Sequence, residues 1–255
     1  MSGNVHELYE YEKPVVKGYE KKKVGRANAH ITSAETKEVN RKKTAQRARS
    51  TVRTYANANP HLNKFLTLTF ALNITDLNFA YYELDKFIKR LKSRYKTISY
   101  ISVVEFQKRG AIHFHILCDL PYVDLNELAK IWTNGYVKIN KIDNIDNVGA
   151  YITKYMTKEN VDERLANRKC YTMSKNLNKP IEYTKQQDID EVMANLDNIK
   201  RKYTSTFKSE YYGTIKYTQI VCKKPSAPTN PFERFLQRFK SWVTLLPDSC
   251  PNPFV

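Results

Sequence analysis

His113-Phe114-His115 sets two imidazoles two residues apart in a segment, Ile112 to Cys118, that reads as a β-strand. Side chains at that spacing share one face, roughly 6 to 7 Å apart along the backbone, so both rings can converge on one cation. Two hydrogen-bonded sheet histidines fit the same pattern. Glu105 lies on the preceding strand, Ile98 to Phe106, and Lys108-Arg109-Gly110 lies between. A three-residue hairpin loop ending in glycine is a favoured type, the glycine taking the left-handed position. That register pairs Gln107 with Ala111 and Glu105 with His113, and directly paired residues of an antiparallel ladder share a face. A two-residue loop would put Glu105 on the opposite face. Two imidazoles and one carboxylate leave positions for water and a phosphate oxygen, which suits Mg²⁺ or Mn²⁺ acting as a Lewis acid. Gln107, on the same strand face, could assist or replace Glu105, and no cysteine is placed to complete a structural zinc site.

A second group follows downstream. Gly149-Ala-Tyr151-Ile-Thr-Lys154-Tyr155-Met-Thr-Lys158 sits in a helix expected to open at Asp146 or Asn147 and run to about Lys158. Tyr151 and Tyr155 are i and i+4 and share a helical face, which Lys154 and Lys158 flank. With 18 tyrosines in the chain, a stacked core pair also fits. The chemical alternative is attack of a phenol oxygen on a DNA phosphate, giving a 5′-phosphotyrosine and a free 3′-hydroxyl. A metal and a lysine would offset the charge that develops on the phosphate. The phosphotyrosine keeps the energy of the broken linkage, so the step can reverse, and two tyrosines permit alternate attack.

The whole chain is strongly cationic. A formal net charge of +17 on 255 residues, with a pI near 9.6, argues for a polyanionic partner. No apolar run approaches the roughly 20 residues that span a bilayer, and the start of the chain has no apolar signal region, so nucleic acid is favoured over a membrane. Cys118, Cys170, Cys222 and Cys250 show no CxxC pairing, which suggests a reducing cytosol, that of a bacterial host. Seven glycines and no P-loop motif argue against an ATPase or helicase.

The elements that must position these groups divide the chain into three. Residues 1–60 are polar, and from Lys21 to Arg53 carry Lys21, Lys22, Lys23, Arg26, Arg41, Lys42, Lys43, Arg47, Arg49 and Arg53 against Glu35 and Glu38. That composition fits a solvated tail, or an arm or helix gripping DNA phosphates, with Lys108 and Arg109 of the hairpin loop as further phosphate contacts. Residues 61–224 form the proposed endonuclease domain, with a core at 63–160. Phe65 to Phe70 reads as a strand, Asp76 caps a helix from Leu77 to Tyr95, Asp124 caps a short helix through Trp132, and Gly135 to Ile139 is a fourth strand. Val161 to Lys169 and Asp188 to Arg201 read as helical, and Tyr211 to Cys222 as a strand or hairpin with Gly213 a possible bulge. Residues 225–231 form a Pro-rich linker into an amphipathic segment bearing Phe232, Phe235, Leu236, Phe239 and Trp242. No internal repeat is present.

Taken in order, Phe65-Leu-Thr-Leu-Thr-Phe70, Glu105 with Gly110-Ala-Ile-His-Phe-His-Ile116, and Tyr151-Ile-Thr-Lys-Tyr-Met-Thr-Lys158 resemble the three motifs of rolling-circle replication initiators, the histidine–hydrophobe–histidine (HUH) endonucleases. The Tyr-x-x-Lys-Tyr-x-x-Lys form resembles the two-tyrosine branch of small single-stranded DNA phages and some plasmids. The resemblance covers about residues 63 to 160. It implies an α+β fold with a central antiparallel sheet flanked by helices, of ferredoxin or RNA-recognition-motif topology. It implies His113 and His115 as metal ligands with Glu105 the third, and Tyr151 and Tyr155 as nucleophiles. It also implies single-stranded or hairpin origin DNA as substrate and, since no helicase motif is present, a host helicase and replication machinery as partners. A conjugative relaxase or single-strand transposase would use the same constellation. A non-enzymatic basic nucleic-acid-binding module would bind without nicking.

Overall fold

In the computed structural model, residues 1–15, 33–156, 163–165 and 168–224 are described. At its centre is β4 (Ile112–Cys118), buried at every position. It pairs antiparallel with β2 (Lys64–Phe70) on one side and β3 (Tyr100–Phe106) on the other. Beyond β2 lies β5 (Gly135–Lys141), and beyond β3 a short β6 (Tyr171–Met173), giving the five-stranded order β5-β2-β4-β3-β6. With α2 (Leu77–Tyr95) between β2 and β3, and α3 (Leu125–Trp132) between β4 and β5, the core is a β-α-β-β-α-β unit of RNA-recognition-motif-like topology. The chain is α+β, its antiparallel sheets flanked by helices.

The period of two along each strand decides which helices cover which face. Leu66, Leu68, Phe70, Phe114 and Ile116 point to one side and pack with Leu84, Phe87 and Leu91 of α2 and Leu128 and Trp132 of α3. Asp76 and Asp124 cap those helices, each accepting hydrogen bonds from backbone amides of the first turn. Phe65, Ile101, Val103 and Leu117 point to the other side, where Val52 and Ala56 of α1 (Ala34–Ala58) and Val148 and Ile152 of α4 (Val148–Ile152) cover them. His113, His115 and Glu105 belong to this second face.

The segment 1–60 holds two elements that its polar composition hides. The helix α1 begins at Ser33, whose hydroxyl accepts from the Thr36 amide, but buries only Val52, Ala56 and Asn57 near its end. A helix with so narrow an apolar stripe shows no sustained periodicity. The other element, β1 (Val5–Tyr11), joins a second sheet of order β1-β8-β7, formed with β7 (Ile199–Ser209) and β8 (Gly213–Cys222). Both fall in one compact unit, Met1–Cys222.

Three expectations past residue 156 need correction. Helix α5 (Gln186–Ala194) ends well before Arg201, because the chain turns at Asn198 (φ +55°) and Ile199 starts an edge strand exposed along most of its length. Gly213 is not a bulge: with φ +69° it closes the β7–β8 hairpin opposite Ser209, and the register irregularity falls at Ile199/Arg201. Of Val161 to Lys169, the described part is a 3₁₀ turn at Glu163–Leu165. The linker and amphipathic segment at 225–255 lie outside the described residues. Among the described residues, no helix is long and apolar enough to cross a membrane.

Candidate functional site

The β3–β4 hairpin aligns the polar groups of the second face. Gly110 takes φ +87°, its amide donates to the Gln107 carbonyl at 2.8 Å, and the Gln107 amide donates to the Ala111 carbonyl at 2.8 Å. Glu105 therefore pairs with His113, and Val103 with His115. His115 Nε2 lies 2.7 Å from Glu105 Oε2, and its Nδ1 lies 3.2 Å from Thr67 Oγ1 on β2. If Nε2 carries the proton and donates to Glu105, Nδ1 is left to accept from Thr67. His113 is placed differently. Its Nδ1 is 3.5 Å from Gln107 Nε2, the limit of a hydrogen bond, and its buried Nε2 has no hydrogen-bond partner. Arg109 Nε holds Gln107 in place by donating to its Oε1 at 3.1 Å.

Electrostatics sort the two titrating neighbours. The hydrogen bond with His115 holds the Glu105 carboxyl below the usual carboxylate range, and the two imidazoles add to that against the opposing effect of burial. Burial, helped by the nearby His115 and Arg109, lowers the His113 pKa below the ordinary imidazole value, so this ring keeps a free lone pair at neutral pH. The donor set, two imidazoles and a carboxylate on one sheet face with one ring nitrogen unsatisfied, fits a divalent cation by chemistry. The grouping is not ready-made: among the described residues, no three His, Cys, Asp or Glu side chains are gathered as a metal-holding set. Glu105 binds His115 directly, and that hydrogen bond must open before both groups can share an ion.

The tyrosines come from a shorter helix than their spacing suggests. The α-helix spans only Val148–Ile152 and tightens into a 3₁₀ turn at Thr153–Tyr155, while Lys158 lies outside the described residues. The Thr153 hydroxyl bonds back to the Gly149 carbonyl at 2.8 Å, the kind of side-chain bond that competes with a regular helix. Asn147 caps the start, accepting from the Ala150 amide at 2.8 Å. Asn57 of α1 joins the two helices, donating to Asn147 Oδ1 at 3.0 Å and accepting from the Gly149 amide at 2.7 Å. At Gly149 the approach of α1 is so close that a Cβ would meet the Arg53 carbonyl oxygen at 2.2 Å.

This clamp presents the phenols to the histidines. The Tyr155 ring stacks on His115 with centroids 3.8 Å apart and planes at 26°. Tyr151 meets Tyr155 edge-on at 6.1 Å, and Phe65 packs against His115, Tyr151 and Tyr155. The exposed Lys154 places Nζ 5.7 Å from the Tyr151 ring centroid. Residues 63–160 match the replication-associated protein family of the ORF2 type. The match supports a replication initiator role, and its span holds the hairpin, both histidines and both tyrosines. No curated protein and no solved structure matches the chain.

Burial, with the hydrogen bond and charge of Tyr151 added, pushes the Tyr155 phenol up to about 12. Unfolded tyrosine ionises near 10. A group raised on folding stabilises the fold below its unfolded pKa and loses that contribution as pH rises towards the folded value. Folded protein is therefore expected to lose stability between about pH 10 and 12. Tyr155→Phe should remove one late-titrating phenolate from the absorbance curve near 295 nm, and an unchanged curve would contradict this environment.

The basic residues divide by position. Arg41 and Lys42 pair with Glu38 on α1, whereas Lys43, Arg47 and Arg49 are exposed. Arg53 is tied to Glu7 of β1 at 2.8 Å, so it joins α1 to the small sheet as well as carrying charge. Lys108 is exposed at the hairpin tip beside Arg109, and Lys21, Lys22 and Lys23 lie outside the described residues. Thr67, Phe65 and Asn57 enter the site without having been singled out by the sequence. The alternation of Phe65-Leu-Thr67-Leu carried a signal for the first two, since it puts them on the face opposite Leu66 and Leu68.

Proposed function

We propose that this protein is a replication initiator that nicks and rejoins single-stranded origin DNA through Tyr151 and Tyr155, assisted by a divalent cation. The observation that carries this reading is the stack of Tyr155 on His115 while the same imidazole bonds Glu105. A phenol, two imidazoles and a carboxylate thus meet on one sheet face. In the reaction, a tyrosine oxygen forms a bond to phosphorus as the bond from phosphorus to the 3′ oxygen breaks. The protein is left on the 5′ phosphate and a 3′-hydroxyl is released. His113 and His115, with Glu105, would hold Mg²⁺ or Mn²⁺, which supplies Lewis-acid polarisation of the phosphate. The phenol of Tyr155 is a weak acid here and holds its proton at neutral pH, which keeps the nucleophile unreactive until substrate is seated. Lys154, beside Tyr151, places a positive charge where the phosphate becomes more negative. The matched family supports the replication setting.

One observation favours a second reading. The direct Glu105–His115 bond, with no gathered metal set among the described residues, also suits a basic module that binds nucleic acid without cutting it. Incubation with single-stranded oligonucleotides and Mn²⁺, followed by a denaturing gel, separates the two. A covalent adduct is expected in the parent protein, reduced in Tyr151→Phe and Tyr155→Phe and lost in the double variant. An adduct that survives in the double variant removes the tyrosine assignment, and one indifferent to chelator removes the metal.

A further inference from the structure

The site face continues past the histidines onto the edge strand β5. Paired residues in an antiparallel ladder share a face, so the register defines two rows across the sheet. One runs Tyr136, Thr69, His113, Glu105, and the other Lys138, Thr67, His115, Val103. In β5 the alternation is strict: Val137 and Ile139 pack towards the α2–α3 core, while Tyr136, Lys138 and Asn140 are exposed. Tyr136 is 74% exposed. Two strand spacings, about 10 Å, separate its backbone from that of His113. A tyrosine so open contributes little to folding through burial, yet its row ends at the histidine and carboxylate. Its neighbour Lys138 is a cation in the other row, on a chain of net charge +17.

We propose that Tyr136 and Lys138 seat the single strand beside the reacting phosphate, Tyr136 stacking on a base and Lys138 meeting the backbone. The proposal rests on the single-stranded DNA reading above and adds to it where the strand lies. It crosses β5 and β2, over the partly exposed Thr67 and Thr69, to reach the histidine row. Stacking on an aromatic ring is indifferent to sequence but needs an unpaired base, so Tyr136 selects single strands over duplex.

The test measures binding apart from cutting, with the full chain in chelator and a fluorescently labelled oligonucleotide, single-stranded or annealed to its complement. Tyr136→Ala is expected to weaken single-strand binding about tenfold or more, at unchanged melting temperature, while Tyr136→Phe retains it and duplex binding does not move. Lys138→Ala should lower the salt dependence of single-strand binding by about one phosphate contact. Unchanged single-strand affinity in Tyr136→Ala, or an equal loss on duplex, overturns the proposal. Adduct formation is scored separately in the parent protein. An adduct combined with unchanged Tyr136→Ala binding overturns the seat and leaves nicking standing. The selective loss without any adduct overturns nicking and leaves the seat.

Discussion

Gly149→Ala is expected to destabilise the protein and to cut adduct formation by about 10²-fold, although alanine is the better helix former. By intrinsic propensity alone the change should stabilise a helix by ~1 kcal/mol. The packing opposes this. The new Cβ would lie 2.2 Å from the Arg53 oxygen and 2.9 Å from its carbonyl carbon and Cα, all backbone atoms of α1 that no rotamer change can move aside. Overpacking of this kind costs about 1–3 kcal/mol, so the unfavourable effect wins. The strain would be relieved by moving α4 off α1, which breaks the bond from the Gly149 amide to Asn57 and shifts Tyr151, two residues on. A displacement of about 1 Å of a reacting group costs roughly 10²-fold in rate. Thermal melting and the adduct assay together check this, and a raised melting temperature would show that α4 does not sit so closely on α1.

His115→Ala should cost adduct formation about 10²- to 10³-fold, in the range found when a single group that stabilises developing charge is removed. The imidazole makes three contacts that no neighbour replaces: the bond to Glu105, the bond to Thr67, and the stack under Tyr155. Without it the Glu105 carboxyl should titrate closer to its ordinary range, because the bond to His115 is the main cause of its lowering. Thr67→Val is the milder companion. It keeps the ring but removes the hydroxyl at Nδ1, and losing such an orienting partner weakens metal binding roughly 10- to 100-fold. Calorimetric titration with Mn²⁺ reads that loss. Parental adduct rates in His115→Ala would exclude the imidazole from the reaction.

The hairpin that carries the histidines was legible because local rules sufficed. Gly110 fixed the loop, the loop fixed the pairing, and the pairing placed Glu105 beside His113. The helix α2 was legible for a similar reason, its apolar stripe and Asp76 cap both lying within the segment itself. What was hidden depends on distant partners. Only the last two turns of α1 are buried, so nothing in its composition announces the contact with α4. The edge strand β7 exposes Ile199, Tyr203 and Phe207, and its pairing with β8 rather than any alternation of burial makes it a strand. The end of the tyrosine helix escapes the sequence because i, i+4 spacing does not reveal that Thr153 tightens the backbone. The partner Glu105 takes in the structure, His115 rather than His113 across the ladder, is set by side-chain reach, which a pairing register leaves open.

The position of β4 gives the two halves of the site different fates when the molecule breathes. His113 and His115 lie in the middle strand, laddered on both sides and covered by core above and below. Their amides can exchange with solvent only when the whole sheet comes apart. Tyr151 sits on a helix of five residues, too short to hold itself, kept in place by Asn57 and a few apolar contacts. That segment can lift away and return while the sheet stays intact. The imidazoles form a fixed bench, and the phenols are the part that can be picked up and set down.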